Sequence, residues 1–133
     1  MQNELWRLGT VDLAKAIREK QVSSREVIQA HLDRINTVNG RLNAVTVVLH
    51  QEALRAAEEA DRALARGGAL GPLHGVPMTV KENIDLSGSP TTQGIVAFKD
   101  ALPPAESPHV TQLKRAGAIP IGRTNLPDFG LRW

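Results

Sequence analysis

The sequence predicts an α/β fold. Stretches with helical periodicity alternate along the chain with short apolar, β-branched stretches, and this order of elements is typical of α/β domains. After the second predicted strand, a helix precedes a third strand, which favours a crossover connection and therefore parallel pairing of the two strands. We expect these strands to lie within a sheet that helices cover.

Two amphipathic helices open the chain. The first is predicted over residues 10–22, with an acidic residue in its first turn, where the helix dipole favours it. Ser23 and Glu26 have the spacing of a capping box, so the second helix is predicted to begin there. It is expected to end at Asn39-Gly40. His31 lies on the apolar stripe of this helix, and we interpret it as a packed histidine rather than a metal ligand.

A strand and a third helix follow. Residues 42–49 contain an almost continuous apolar, β-branched run, which predicts a strand that is covered on both faces inside a larger sheet. Residues 51–66 have helical periodicity, and Gly67-Gly68 ends them. The acidic residues between 58 and 61 are interpreted as a solvated helix face without chemistry.

One lysine stands at the end of the second predicted strand. Apolar residues alternate along residues 76–80 between glycines and prolines, and Lys81 follows directly. A lysine that is desolvated in such a place has a pKa below its usual value of about 10.4 and can act as a base. The alternative is a solvated lysine whose stem covers apolar neighbours. Glu82, Asn83 and Asp85 either orient the lysine or form a turn, and the turn is favoured for Asp85.

An irregular connection comes next. Residues 86–94 are rich in Gly and Pro, and residues 99–106 contain Pro103-Pro104, so both are predicted to lack regular structure. Thr91 and Thr92 lie within this connection. They either support a site at the lysine strand or shape a plain turn.

A helix and a third strand complete the pattern. Ser107-Pro108 supplies an N-cap and a first-turn proline for a helix that ends at Gly117. Residues 118–122 are the next predicted strand. Thr124-Asn125 lies just beyond its carboxyl end, where open α/β sheets bind ligands; the alternative is a capping turn.

Composition argues against several other classes of protein. The 133 residues include no cysteine, so neither disulfides nor thiolate metal sites are expected. A net charge of +2 and 3% aromatic residues, without a basic cluster, give no reason to expect nucleic acid as a partner. No apolar run approaches about 20 residues, and we expect a cytoplasmic protein without a membrane span. His50, His74 and His109 lack metal-ligand spacing and no phosphate-binding glycine loop is present, so we expect no cofactor.

Several motifs resemble one enzyme family. Residues 71–85, GPLHGVPMTVKENID, resemble the segment that carries the catalytic lysine of the amidase signature family, the amide hydrolases with a Ser-cis-Ser-Lys triad. Residues 90–94 resemble the Thr-Thr turn that follows in that family, residues 117–125 its next strand and Thr-Asn turn, and residues 126–130 its acidic-plus-Phe segment. Residues 12–27 look like the start of these enzymes. The resemblance therefore covers nearly the whole chain, and the order of the motifs makes it specific.

The resemblance implies the N-terminal part of an α/β/α amidase signature fold with a mixed, partly parallel central sheet flanked by helices. Residues 1–133 would then be an N-terminal fragment of a single amidase domain. Its expected parts are helices over 1–40, a strand and helix over 42–66, the lysine strand and loop over 73–106, and a helix and strand over 107–125.

Lys81 is the one catalytic residue that the resemblance assigns to this chain. The family's two serines belong to a Gly/Ser-rich segment, and the sequence reaches Trp133 before such a segment. In the implied mechanism, a neutral Lys81 takes a proton through the bridging serine, the second serine attacks an amide carbonyl, and water hydrolyses the acyl-enzyme. The expected partner of the complete enzyme is a small-molecule amide.

Two other functions stay open. In the first, the chain is catalytically inactive and has a structural or interaction role. It is then a truncated fragment or one half of a split enzyme, and it associates with a complementing chain or forms a homo-oligomer. In the second, the chain belongs to the amidase subunit of a tRNA-dependent amidotransferase, which would need partner subunits and tRNA. The small net charge gives that possibility little support.

Overall fold

A computed structural model describes residues 2–131, with side chains from Glu4 onward; Met1, Arg132 and Trp133 lie outside this range. The helices are α1 (Thr10–Arg18), α2 (Ser24–Leu42), α3 (His50–Ala65) and α4 (Pro108–Arg115). The strands are β1 (Val45–Val48), β2 (Pro77–Lys81) and β3 (Ile119–Thr124). Short 3₁₀ segments cover Gln2–Arg7, Val96–Phe98 and Asp128–Gly130.

The three strands form one mixed sheet in the order β1-β3-β2. β2 and β3 are parallel, whereas β1 runs antiparallel to β3. The α/β fold and the parallel crossover through α4 are therefore confirmed. This topology brings the carboxyl ends of β2 and β3 to the same edge of the sheet.

The start of α2 has the capping box that the sequence predicts. The Ser23 hydroxyl accepts from the Glu26 amide at 3.1 Å, and the Glu26 carboxylate accepts from the Ser23 amide at 2.8 Å. The preceding helix is shorter than predicted, because α1 ends at Arg18 and Lys20 takes a left-handed conformation with φ of 56°. A well-formed cap at Ser23 satisfies amides that would otherwise lack partners.

The predicted end of α2 at Asn39-Gly40 is wrong. The helix continues to Leu42, and the left-handed residue is Asn43, with φ of 49°. The Asn39 side chain explains this extension, because it accepts from the amide of Val45 at 2.9 Å and donates to the carbonyl of Val45 at 2.7 Å. Asn39 therefore fixes the exit from the helix while remaining within it.

Three apolar clusters hold the sheet and helices together. Ile119 and Ile121 of β3 pack against buried residues of α2 and α3, which are Ile28, Leu32, Ala53 and Ala57. A second cluster joins α1, α2 and the start of the lysine strand through Leu5, Leu13, Ile17, Val27 and Val76. A third joins β2 to α4 through Val80, Leu86 and Val110. Together these clusters fix the position of β2, at whose end Lys81 lies.

The strand β1 forms within the predicted range of residues 42–49, but residues 2–131 leave most of it uncovered. Val47 and Val48 are 39% and 41% exposed, and only Val45 of this strand is partly buried. Within residues 2–131, β1 is an edge strand of the sheet and pairs with β3 on one side. A continuous apolar run is typical of a strand with covered faces, and within residues 2–131 this cover is incomplete.

The cap at the start of α4 differs in detail from the prediction. Pro108 occupies the first turn as expected, but the Ser107 hydroxyl makes no bond to a helix amide. It lies instead 2.8 Å from Nδ1 of His109. The helix still begins here, because proline lacks the amide hydrogen that would otherwise need a partner.

We expect Gly75→Ala to lower the free energy of unfolding by roughly 2–3 kcal/mol. Gly75 has φ of +77°, and a Cβ atom there would lie 2.3 Å from the Ser24 hydroxyl oxygen. Gly40→Ala is the matched control, because no atom lies within 4 Å of the position that its added methyl group would take inside α2. That substitution should raise stability by about 0.5–1 kcal/mol. Denaturant unfolding of both variants tests the pair, and equal effects would contradict the close packing at Gly75.

Candidate active site

Lys81 is the last residue of β2 and lies at the carboxyl edge of the sheet. In the parallel ladder it pairs with Thr124, the last residue of β3. The Glu82 amide continues the ladder by donating to the carbonyl of Thr124 at 3.0 Å. The structure thus brings together Lys81 and Thr124, two of the residues that the sequence identifies as candidates.

The side chain and the backbone of Lys81 have contrasting environments. Lys81 is exposed within residues 2–131, so in the described chain it has the solvated environment of the alternative interpretation. Its carbonyl oxygen, in contrast, accepts from the Ile84 amide at 3.0 Å and from Arg123 Nη2 at 3.1 Å. The strand end is therefore held through its backbone, although the residue itself is exposed.

Glu82 points into the protein, as expected for a residue adjacent in sequence to an exposed strand residue. It is only 7% exposed. Its two carboxylate oxygens accept hydrogen bonds from the hydroxyls of Thr46 and Thr92. Thr92 also accepts from the Gly94 amide at 3.1 Å, so it supports the Glu82 carboxylate and shapes its own turn.

Arg123 is fully buried on the central strand β3. Its guanidinium donates to four backbone carbonyls, with distances of 2.8 Å to Ile84, 3.1 Å to Lys81, 3.3 Å to Val80 and 3.4 Å to Ser89. Four carbonyls of the lysine strand and its following loop are therefore bound by the three nitrogen atoms of one guanidinium group.

The charge of Arg123 is balanced by carboxylates nearby. Burial lowers the pKa of Arg123 from its ordinary value, and the negative charges of Glu82 and Asp85 act in the opposite direction. The backbone carbonyl of Asp85 accepts from the Ser107 amide at 3.0 Å, and this bond joins the turn after Lys81 to the residue that precedes α4. The turn after Lys81 thus has a buried positive charge at its centre.

Three of the motif segments meet beside the lysine strand. The Gln93 amide donates to the carbonyl of Glu82 at 3.2 Å, and the Phe129 amide donates to the carbonyl of Gln93 at 2.7 Å. Gly94, with φ of +75°, sits so close that a Cβ atom would lie 2.8 Å from the Leu126 carbonyl oxygen. The Thr-Thr loop is therefore held between the lysine strand and the turn after β3.

Asn125 makes contacts that support the capping-turn alternative. Its side-chain oxygen accepts from the Leu126 amide at 2.9 Å, and its side-chain amide donates to the carbonyl of Asn43 at 3.3 Å. Its own backbone amide donates to the carbonyl of Ala44 at 3.0 Å. These bonds tie the end of β3 to the beginning of β1.

The sequence leaves Glu82 open between a residue that orients Lys81 and a turn residue, and it assigns no role to Arg123. Glu82 continues the alternation of Met78 and Val80, which is a signal for an inward side chain. Arg123 lies one residue beyond the predicted strand, and Ile121, Gly122 and Arg123 are buried in succession, so alternation does not single it out. A charge at an inward position of a strand indicates an internal partner.

Two histidines bind the backbone. Nδ1 of His31 lies 2.8 Å from the Val27 carbonyl, and Nε2 of His74 lies 2.9 Å from the Ala60 carbonyl. Among residues 2–131, no three His, Cys, Asp or Glu side chains are grouped as a metal site would require. Within the same range, no helix combines the length and apolar character needed to cross a membrane.

Comparison with known proteins identifies the family. The family model named Amidase matches residues 26–132. An indoleacetamide hydrolase of Bradyrhizobium diazoefficiens is 52% identical over 128 residues, which are 96% of this chain and 24% of that protein. A glutamyl-tRNA(Gln) amidotransferase subunit from Cutibacterium acnes is 43% identical over 129 residues, covering 97% of this chain and 26% of that protein.

Solved structures agree with these relatives. A bacterial aryl acylamidase of the amidase signature family superposes with a TM-score of 0.88 at 29% identity, over 94% of this chain and 26% of that one. The chain thus spans about a quarter of the length of the curated relatives it matches. Because the family model covers most of the sequence, and the fold agrees, the chain belongs to the amidase family.

Proposed function

We propose that residues 1–133 form the N-terminal part of a single amidase domain that hydrolyses the carbon–nitrogen bond of a small-molecule amide. Lys81 is the terminal base of its Ser-cis-Ser-Lys triad. The observation that carries this proposal is the position of Lys81 at the carboxyl end of a parallel strand, within a segment that matches the family model. Open α/β sheets bind their ligands at this edge.

The proposed reaction moves one proton through a relay. The neutral amine of Lys81 takes a proton from the bridging serine as that serine takes one from the nucleophilic serine. The oxygen of the nucleophilic serine then bonds to the amide carbon, and the Lys81 ammonium returns its proton through the bridging serine to the amide nitrogen. The carbon–nitrogen bond breaks, and the protonated nitrogen leaves as ammonia or an amine. Water attacks the resulting ester and releases the carboxylic acid. Both serines come from protein outside these 133 residues.

The exposure of Lys81 and β1 supports a larger domain around this chain. A lysine that acts as a base needs a site shielded from water, because burial disfavours the charged form of its amine. The described residues leave Lys81 exposed. Val47 and Val48 are likewise uncovered. The matched relatives are about four times longer, so a remaining part of the domain is available to cover both.

Amide hydrolysis by the full-length gene product tests the proposal. Indole-3-acetamide, a primary fatty-acid amide, benzamide and glutamine form a suitable panel, with ammonia release as the measurement. We expect at least one substrate to be hydrolysed, and added hydroxylamine to yield the corresponding hydroxamate from the acyl-enzyme. A folded protein that releases ammonia from none of them, or that forms no hydroxamate during turnover, would contradict the mechanism.

A second candidate is the amidase subunit of a tRNA-dependent amidotransferase. The 43% identity to a glutamyl-tRNA(Gln) amidotransferase subunit supports it. This function predicts that glutamine is the preferred amide and that efficient ammonia transfer requires partner subunits and glutamyl-tRNA. Hydrolysis of indole-3-acetamide by the isolated full-length protein, without such partners, favours the plain hydrolase instead.

A third candidate is a noncatalytic structural piece or one half of a split enzyme. It is supported by large apolar side chains that are exposed on β1 and on the loops after β2 and β3, namely Val47, Val48, Val96, Phe98, Leu102, Phe129 and Leu131. Size-exclusion chromatography with a hydrophobic dye tests the 133-residue chain by itself. Self-association with dye binding supports a missing complement, whereas a monomer without dye binding argues against one.

A further inference from the structure

Arg123 is the largest side chain among those fully buried in the described chain. Its Nη2 atom donates to the carbonyls of Lys81 at 3.1 Å and Ile84 at 2.8 Å, and its Nε atom donates to the carbonyl of Val80 at 3.3 Å. These carbonyls lie on both sides of the Lys81 α-carbon. A single side chain on β3 therefore holds the backbone around the lysine on β2.

Electrostatic attraction from nearby carboxylates also acts on Arg123. Glu82 and Asp85 attract its positive charge from the turn that follows the lysine. Glu82 is itself fixed by hydroxyl donors from Thr46 and Thr92. Because every group in this network is supplied by residues 46–123, the arrangement is built within the described chain.

The side chain of Lys81 depends on this backbone for its position. A lysine amine lies at the end of a flexible four-carbon stem, and misplacing a catalytic group by about 1 Å costs on the order of 10²-fold in rate. We propose that Arg123 is a positioning residue that aims Lys81 by fixing the carbonyls of residues 80, 81 and 84. This inference rests on the proposed function, because it takes Lys81 to be the base.

Arg123→Lys in the full-length protein separates positioning from charge. A lysine keeps the buried positive charge, but it lacks the planar fork that reaches several carbonyls at once. We expect kcat for amide hydrolysis to fall about 10–100-fold while KM stays within about 3-fold. Arg115→Lys, at the exposed end of α4, is the matched control and should leave both constants unchanged.

Two further measurements detect displacement of the lysine strand. The Ile84 amide donates to the carbonyl of Lys81 at 3.0 Å, and its hydrogen exchange should accelerate at least about 10-fold in Arg123→Lys. Exchange at Ile28 in α2 should not change. The pH midpoint of the acidic limb of kcat should also move, because a displaced base responds to a different environment.

Thr92→Val provides a milder variant if Arg123→Lys does not fold. It removes one of the two hydroxyl donors that fix Glu82 beside Arg123. We expect kcat to fall about 3–10-fold with KM unchanged, since the network loosens without losing a charge. Thr92→Ser keeps the hydroxyl and should restore most of the rate.

The outcomes distinguish this inference from the proposed function. Wild-type kcat and unchanged Ile84 exchange in Arg123→Lys, alongside an inactive Lys81→Ala, would overturn the positioning role and leave the function standing. A lower melting temperature of Arg123→Lys, with an unchanged pH profile and unchanged kcat, would mean that Arg123 only stabilises the fold. That result would also overturn the positioning role. Full activity of Lys81→Ala would overturn both.

Discussion

Lys81→Ala is expected to lower kcat for amide hydrolysis by about 10²–10⁴-fold in the full-length protein. In the proposed relay, loss of the amine leaves the proton of the bridging serine without an acceptor, and the nucleophilic serine is then a poor attacking group. KM should change little, because the proposed role is in proton transfer rather than in substrate binding. Steady-state kinetics on the best substrate of the amide panel measures both constants.

Lys15→Ala supplies the matched control for this variant. Lys15 is an exposed lysine of α1, and its ion pair to Glu19, at 4.0 Å, is at the surface. Such pairs contribute little to stability, and we expect wild-type kinetics. Both variants should keep a melting temperature close to that of the wild type, because the bonds that hold the end of the lysine strand use the Lys81 backbone carbonyl, which alanine retains. A Lys81→Ala protein with undiminished turnover would contradict the assignment of the base.

Arg123→Met should lower the free energy of unfolding by about 3–5 kcal/mol. The substitution leaves the Glu82 carboxylate buried without its opposite charge and removes the donor from the carbonyls of Val80, Lys81 and Ile84. Uncompensated buried charges and carbonyls are costly. Denaturant unfolding at neutral pH, with the midpoint and slope fitted together, gives the stability difference.

Two comparisons sharpen that experiment. Arg115→Met changes an exposed arginine in the last turn of α4 and should stay within about 0.5 kcal/mol of the wild type. Combining Arg123→Met with Glu82→Gln removes the orphaned charge, so the double variant should lose less than the sum of the single variants. A loss below about 1 kcal/mol in Arg123→Met alone would show that the buried network contributes little to stability.

The order and type of the elements could be predicted from the sequence, because each depends on local patterns. The 3.6-residue periodicity, the capping box at Ser23 and the Pro108 first turn determine where helices begin. The exposure of Val47 and Val48 could not be predicted in this way. An apolar run indicates that both faces of a strand are covered in the folded protein, but it does not indicate which residues cover them.

The candidate site could be predicted only in part. Lys81 was identified by its motif and by its position after an apolar strand. The bonds from Arg123 to the lysine strand join residues about 40 positions apart in sequence, and no local pattern specifies such a contact. Ile121, Gly122 and Arg123 are buried in succession, so alternation along β3 does not single out Arg123. Its acceptors follow from the parallel register of β2 and β3.

The distance from the Lys81 Nζ atom to the nearest serine hydroxyl, in a crystal structure of the full-length protein, is the most direct test of the central claim. We predict a separation of about 2.6–3.2 Å, with the nitrogen enclosed by the rest of the domain at the carboxyl edge of the sheet. A nitrogen that faces bulk solvent there, with no hydroxyl within hydrogen-bond reach, would contradict the account.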